Sequence, residues 1–561
     1  MTSRPLPSTF LVPVLLAAVF SLGAAPATPT LGPDDLKPGQ RAVVRTVFEG
    51  SRVEEFDAEI VAVMKGGRAE GDLILAKATS ERVIKTGVAQ GMSGSPVYVD
   101  GKLVGALSSG WSFSREPLFG VTPIGEMLAV LDLPVLRNSD GTAGPAGADP
   151  ARRSVRFGEF RWEDDDATGD PSPAPPADSL RPGSAVAVDV LTGDVQMSAI
   201  GTVTWRDRDR VLIFGHPLFQ SGDVRLPLSS ARIATIVASD LTSFKLGVRG
   251  RPVGTATQDR RAAMSGRIGP TPGLLPITVD IATPSRARQR FTFGSIEDRL
   301  LAPQLVGIAA LNSFLESGGA GGNQTLRWTL RLTRRGAPAL TLTDVVAGDA
   351  PAADLAGAVA APLRFLFNNP FDVLKLDSVS VAIVAVPGRE QWSLRSARLL
   401  DASVRPGGTL RVECDVERWH GERSTVALAV TVPEEAPDGR YVLWLGGGPE
   451  LSRYEAARLP GRYRPTSLDD AWRRLGEIRS GDALYATLFA SAPEVTREGR
   501  DYPELPVSAL ALLAGAQGAG DGGRRGDAAR LDQRRVAFAG PLRGELLLAV
   551  QVDSKSPEDA K

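Results

Sequence analysis

Residues 86–106 read Thr86-Gly-Val-Ala-Gln-Gly-Met-Ser-Gly-Ser-Pro-Val-Tyr-Val-Asp-Gly-Lys-Leu-Val-Gly-Ala106. The second half predicts a hairpin. Val97–Val99 and Leu103–Val104 flank Asp100-Gly101, a dipeptide that tolerates the positive φ of a tight primed turn. The first half places Ser93 among small residues, just before Pro96. A nucleophilic serine needs an exposed hydroxyl, with backbone N–H groups aimed at the oxygen that becomes charged. Gly91 permits a turn that points amides inward, so the amides of Gly91 and Ser93 are the candidate oxyanion donors. On spacing alone, the stretch reads more readily as a Gly/Ser turn that merely joins two strands.

A serine hydroxyl needs a group to take its proton, most often a histidine. The chain has two histidines. His420, in Trp419-His-Gly-Glu422, reads as part of a polar surface turn. His216 follows the apolar run Val211–Phe214 and stands between Gly215 and Pro217, where a strand end would hold it rigidly. A buried histidine capping a strand end is its plain structural reading. A Ser–Lys pair using Lys77, Lys85 or Lys102 stays open. An esterase of the nucleophile-elbow type is disfavoured, because Ser95 replaces the second glycine of that motif.

Composition narrows the class. With 561 residues, 43% apolar and 23% charged, the chain suits a multidomain globular protein. Its 60 Gly and 42 Pro favour many short strands and turns. A formal net charge of -1 gives no bulk attraction for nucleic acid or an anionic membrane. Cys414 is the only cysteine, which excludes an internal disulfide; no ligand spacing suggests a metal, and no cofactor is expected. Residues 1–27 read as a signal peptide: Arg4, an apolar stretch from Phe10 to Leu22, then small residues with an exit after Ala25 or Ala27. An uncleaved anchor is the rival reading of that segment. No later run is long and apolar enough to span a membrane, so an exported protein is expected, periplasmic, secreted or envelope-associated.

Along the chain, residues 37–137 read as a compact β unit with a short closing helix near Pro123–Leu131. Residues 138–182 form a Pro/Gly/acidic linker. Residues 183–335 resume with strands at 186–191, 200–205, 211–214, 277–281 and 326–332, and a helix at 300–315. Residues 336–394 read as a connecting α/β region. Residues 395–450 read as a β-sandwich-like accessory module. Residues 451–561 form a mixed region with a helix near 468–478 and a mobile Gly/Arg-rich segment at 515–530.

The stretch 86–106 resembles the serine region of the SpoIVB sporulation-peptidase family, itself similar to trypsin-like peptidases. Val53–Val61 resembles the strand pair before that serine. Ile200–Thr204 with Phe214-Gly-His-Pro217 resembles the family's histidine segment, and Gly250–Thr255 a Gly-rich stretch beyond it. The likeness covers residues 37–133 and 183–279. It implies a mainly β protein: a two-part, trypsin-like β-barrel peptidase region followed by β-rich accessory domains. It also implies a protein or peptide substrate, Ser93 as nucleophile, His216 as base, and Ser108, Gly110 and Trp111 as a cleft wall. The order is permuted, since the family places its histidine half first. The family's acidic position falls on Thr79, which can orient an imidazole but supplies no charge; Glu81 or Asp72 are the candidate substitutes, and a dyad that works without an acid is the other alternative. The rival function is an inactive envelope protein that keeps the fold to bind a peptide or protein partner. Oligomeric state is not readable.

Overall fold

The computed structural model describes residues 28–68, 71–134, 180–284, 286–319, 323–458, 464–490 and 528–556, with short pieces between 494 and 526. The expected signal peptide, residues 138–179 of the expected linker and most of the Gly/Arg-rich segment lie outside the described residues.

Alternating apolar side chains close the first six strands into a barrel. They are β1 (Arg41–Val47), β2 (Val53–Arg68), β3 (Gly71–Ala78), β4 (Pro96–Val99), β5 (Lys102–Gly110) and β6 (Leu118–Pro123), in the order β1-β2-β3-β6-β5-β4, with β4 pairing back to β1. Val44, Phe56, Ile60, Ile74, Val97, Leu107 and Phe119 fill the interior. Asp100 and Gly101 take φ values of 49° and 73° in the β4–β5 turn, as the dipeptide predicts. Helix α1 (Glu81–Thr86) leads into the Ser93 turn, and α2 (Ile124–Ala129) closes the unit.

A second barrel follows. It comprises β7 (Ala185–Gly193), β8 (Met197–Asp207), β9 (Arg210–Ile213), β10 (Gly222–Val237), β11 (Phe244–Arg260) and β12 (Ala263–Ile268). They run in the order β10-β11-β12-β9-β8-β7, and β7 pairs back to β10. Leu103, Ala106, Ile124 and Met127 of the first barrel pack on Leu212, Ala262 and Ala263 of the second. A further contact joins Val47 to Ala185, Ala187 and Ile233. The long β10–β11 hairpin overreaches its barrel and lies on the first, where Gly50 bridges Ile233 and Gln90 bridges Phe244.

The second barrel's sheet continues into β13 (Leu275–Thr283), β14 (Arg286–Ser295), β15 (Gln324–Thr333), β16 (Leu340–Ala347) and β17 (Ser378–Pro387), with helices α3 (Ala302–Glu316) and α4 (Pro351–Phe367) packed on it. The boundary expected at 335/336 therefore falls inside one sheet, because β15 pairs with both β16 and β17. The boundary expected at 450/451 likewise divides one core. Strands at 392–431 and strands at 439–447, 483–490 and 545–552 share the cluster built on Leu410, Val412, Val430, Leu443, Leu488 and Val550. Cys414 is buried there, and burial pushes its thiol up to about 12, so it is an inert packing residue.

Candidate active site

The turn that carries Ser93 is held by its carbonyls on the second barrel. On β8, Thr202 N–H donates to Ser93 O (2.8 Å), Thr202 Oγ1 to Gly91 O (3.0 Å) and Thr204 Oγ1 to Gly94 O (2.7 Å). Three amides of the turn are used internally: Met92 to Ala89 O, Ser95 to Met92 O and Gly94 to Leu107 O. The amides of Gly91 and Ser93 donate to no acceptor among the described residues. Free backbone donors at and near a serine are what a developing oxyanion requires. Gly94 has φ +93°, and a Cβ there would stand 2.0 Å from Thr202 O and 2.6 Å from Phe214 N. Only glycine permits that approach.

His216 follows β9 on a backbone that most residues avoid. Phe214 has φ 73° and Gly215 φ 69°, and positive φ is a true outlier for a bulky side chain. The Phe214 ring stacks on the imidazole at 5.8 Å between centroids. It occupies space that a Cβ on Gly201 would meet at 2.1 Å. Thr122 Oγ1 of the first barrel donates to Gly215 O (2.7 Å). The imidazole Nδ1 donates to Pro217 O at 2.7 Å, which leaves Nε2 of the neutral ring as the proton acceptor.

Ser93 and His216 line one cleft of about 470 Å³ with Gly91, Leu107 and Phe214. One wall is Ser108, Ser109, Gly110 and Trp111 with the following loop; the other is the β10–β11 tip, Ser239–Ser243. The loops meet where Ser112 Oγ and Thr242 Oγ1 lie 3.2 Å apart. Ile84, Trp111, Phe113 and Leu241 line this cleft and are exposed. No hydrogen bond joins Ser93 to His216 directly.

Thr79 needs correction. It is exposed at the end of β3, its amide bonds to Asp57 O, and it does not line the cleft. Neither proposed substitute reaches the imidazole: Glu81 pairs with Lys85 and Asp72 with Lys65. The three lysines considered as bases lie outside the cleft as well. His420 sits at φ 63° in a turn against Trp419, away from the cleft.

A different lysine escaped the sequence reading. Lys245 on β11 is buried beneath the Ser93 turn, where its side chain bounds the space beside Gly91. Its Nζ donates to Thr46 Oγ1 (2.8 Å), which also accepts from Ser95 Oγ (3.0 Å). Burial pushes its pKa down to about 7. Lys245 supports the turn from below and does not line the cleft. The only sequence signal was its place between Phe244 and Leu246 in an alternating strand. Among the described residues no group of His, Cys, Asp and Glu side chains is arranged to hold a metal.

The chain matches no curated protein and no solved structure. Residues 27–122 match the SpoIVB peptidase S55 family. The matched residues span the serine barrel into β6 and include Ser93, whereas His216 lies beyond them. Over that barrel, the chain is similar to the SpoIVB-type serine peptidases.

Proposed function

We propose that this chain is an exported endopeptidase that hydrolyses peptide bonds by a Ser–His mechanism, with its serine and histidine halves permuted relative to the family. The observation that carries the reading is the shared cleft: Ser93, two undonated amides and an imidazole with its Nε2 free. Ser93 Oγ attacks the scissile carbonyl while Nε2 takes its proton, and the amides of Gly91 and Ser93 hold the oxyanion. His216 then returns the proton to the leaving amine, and water releases the acyl group by the reverse sequence. Transfer requires Oγ and Nε2 to come within about 3 Å, a contact that substrate commonly tightens. The exposed rim of Ile84, Trp111, Phe113 and Leu241 suits an extended polypeptide with bulky apolar side chains.

The test is hydrolysis of an unfolded protein substrate. His216→Ala lowers turnover roughly 10²–10⁴-fold, and His420→Ala leaves it unchanged. Equal losses at both positions would contradict the assignment of the base. Export rests on the charge, apolar core and small-residue exit of residues 1–27. The expected mature N-terminus is Pro26 or Thr28, read by N-terminal sequencing of extracytoplasmic protein; a cytoplasmic chain that keeps Met1 would refute it.

A further inference from the structure

Among the described residues no carboxylate touches the imidazole, yet the loop after His216 ends on one. Asp259, near the end of β11, is fully buried. It accepts from three successive parts of that loop: Leu218 N–H at Oδ1 (2.8 Å), Phe219 N–H at Oδ2 (2.7 Å) and Ser221 N–H at Oδ2 (3.3 Å). Leu218 N–H and Pro217 C=O belong to the same peptide group, and that carbonyl oxygen is the acceptor of His216 Nδ1–H. The chain of contacts therefore runs from the carboxylate to an amide N–H, across one conjugated peptide plane, and from its oxygen to the imidazole. A negative acceptor at the N–H end draws electron density onto the carbonyl oxygen and strengthens it as an acceptor. Hydrogen bonds to ionised groups are about twice as strong as neutral ones, and linked bonds polarise one another where the dielectric is low.

We propose that Asp259 is the positioning residue of His216, acting through the Pro217–Leu218 peptide group. It fixes the Nδ1–H tautomer and the plane of the ring. It also stabilises positive charge on the ring at one remove, so that a carboxylate acts on the base without touching it. The other two amides stop the loop from turning away, and Thr122 on Gly215 O anchors its opposite end. The kinetic part rests on the peptidase reading; the geometric part does not.

The experiment uses the full chain labelled with ¹⁵N-histidine. His216 and His420 are the only imidazoles, and His420→Gln assigns the two sets of ring signals. In the parent protein, His216 is expected as the Nδ1–H tautomer. In Asp259→Asn the Nδ1 proton moves upfield and the tautomers mix, while His420 is unmoved. Leu218→Pro deletes the relaying N–H but leaves the other two amides on the carboxylate, and it produces the same change even where Asp259→Asn does not fold. Unmoved His216 signals in either folded variant overturn the proposal, as does an Nε2–H tautomer in the parent. On a peptide substrate, kcat is expected to fall about 10- to 100-fold, by analogy with the loss of hydrogen-bond partners behind metal-binding histidines, with KM held. A loss confined to KM overturns it. Ring signals do not depend on turnover, so a chain that cleaves nothing refutes the peptidase reading while the spectroscopic result stands by itself.

Discussion

At Lys245 an ammonium group lies beneath the serine turn with one acceptor, the Thr46 hydroxyl. Burial lowers its pKa from 10.5 to about 7, so the folded chain gives up this proton well before the unfolded chain does. Between these values unfolding takes up a proton, and stability rises with pH by up to about 1.4 kcal/mol per unit. Below about pH 7 both states are protonated, and the full penalty of burying the charge remains. Lys245→Met is expected to stabilise the protein at pH 7 and to remove this slope. Urea midpoints of both proteins at pH 7, 8 and 9 check it; parallel curves would show that Lys245 keeps an ordinary pKa. Neither Lys245 nor Asp259 was legible as a site residue. The partners of Lys245 and Asp259 lie 199 and about 40 residues away in sequence, and only the closed barrels bring them together.

The elements that form the site are two tight approaches between strands and turns. Gly94 presses on β8 backbone, and Gly201 on β8 makes room for the Phe214 ring. Gly94→Ala forces a Cβ at positive φ against backbone atoms that cannot rotate aside, and it is expected to cost about 2–4 kcal/mol. Gly201→Ala meets a ring edge instead, so its stability loss is smaller, while displacement of Phe214 shifts His216 and turnover drops. Denaturation midpoints and turnover of the two variants check the order; a Gly201→Ala protein with full activity would deny Phe214 its supporting role. At this scale the sequence was read unevenly. The β4–β5 hairpin announced itself through Asp100-Gly101, and the helix expected at 300–315 through its apolar run ending before Gly318. Between the strands expected at 211–214 and 277–281 the sequence marked no strand, yet residues 222–268 form β10, β11 and β12. Their glycines mark crowding: a Cβ on Gly254 would lie 2.1 Å from Arg267 O, and one on Gly266 would lie 2.6 Å from Thr255 O. A residue that usually signals a loop is here what lets barrel strands close.

Across the whole molecule, two barrels meet through apolar contacts and backbone bonds, and the cleft lies along that seam. Each barrel is incomplete as a site: the serine turn needs Thr202 and Thr204 from the second barrel, and the histidine loop needs Thr122 from the first. This mutual dependence explains why residues 93 and 216 share one cleft although the intervening chain is long; loop closure costs entropy only logarithmically. A C-terminal helix, Leu468–Gly476, sends Leu468, Trp472 and Leu475 into the core that contains the second barrel and its sheet extension. The expected module boundaries therefore missed a shared core, because composition shifts at turns do not report which strands pair.

The central claim is that Ser93 is a nucleophile activated by His216. Its most direct test is mass-spectrometric mapping of the adduct formed by a fluorophosphonate probe on the full chain. The account predicts a single modification on the peptide containing Ser93, lost in His216→Ala and retained in His420→Ala. Labelling elsewhere, labelling of Ser93 that survives His216→Ala at full rate, or no labelling of a folded, processed chain would contradict it.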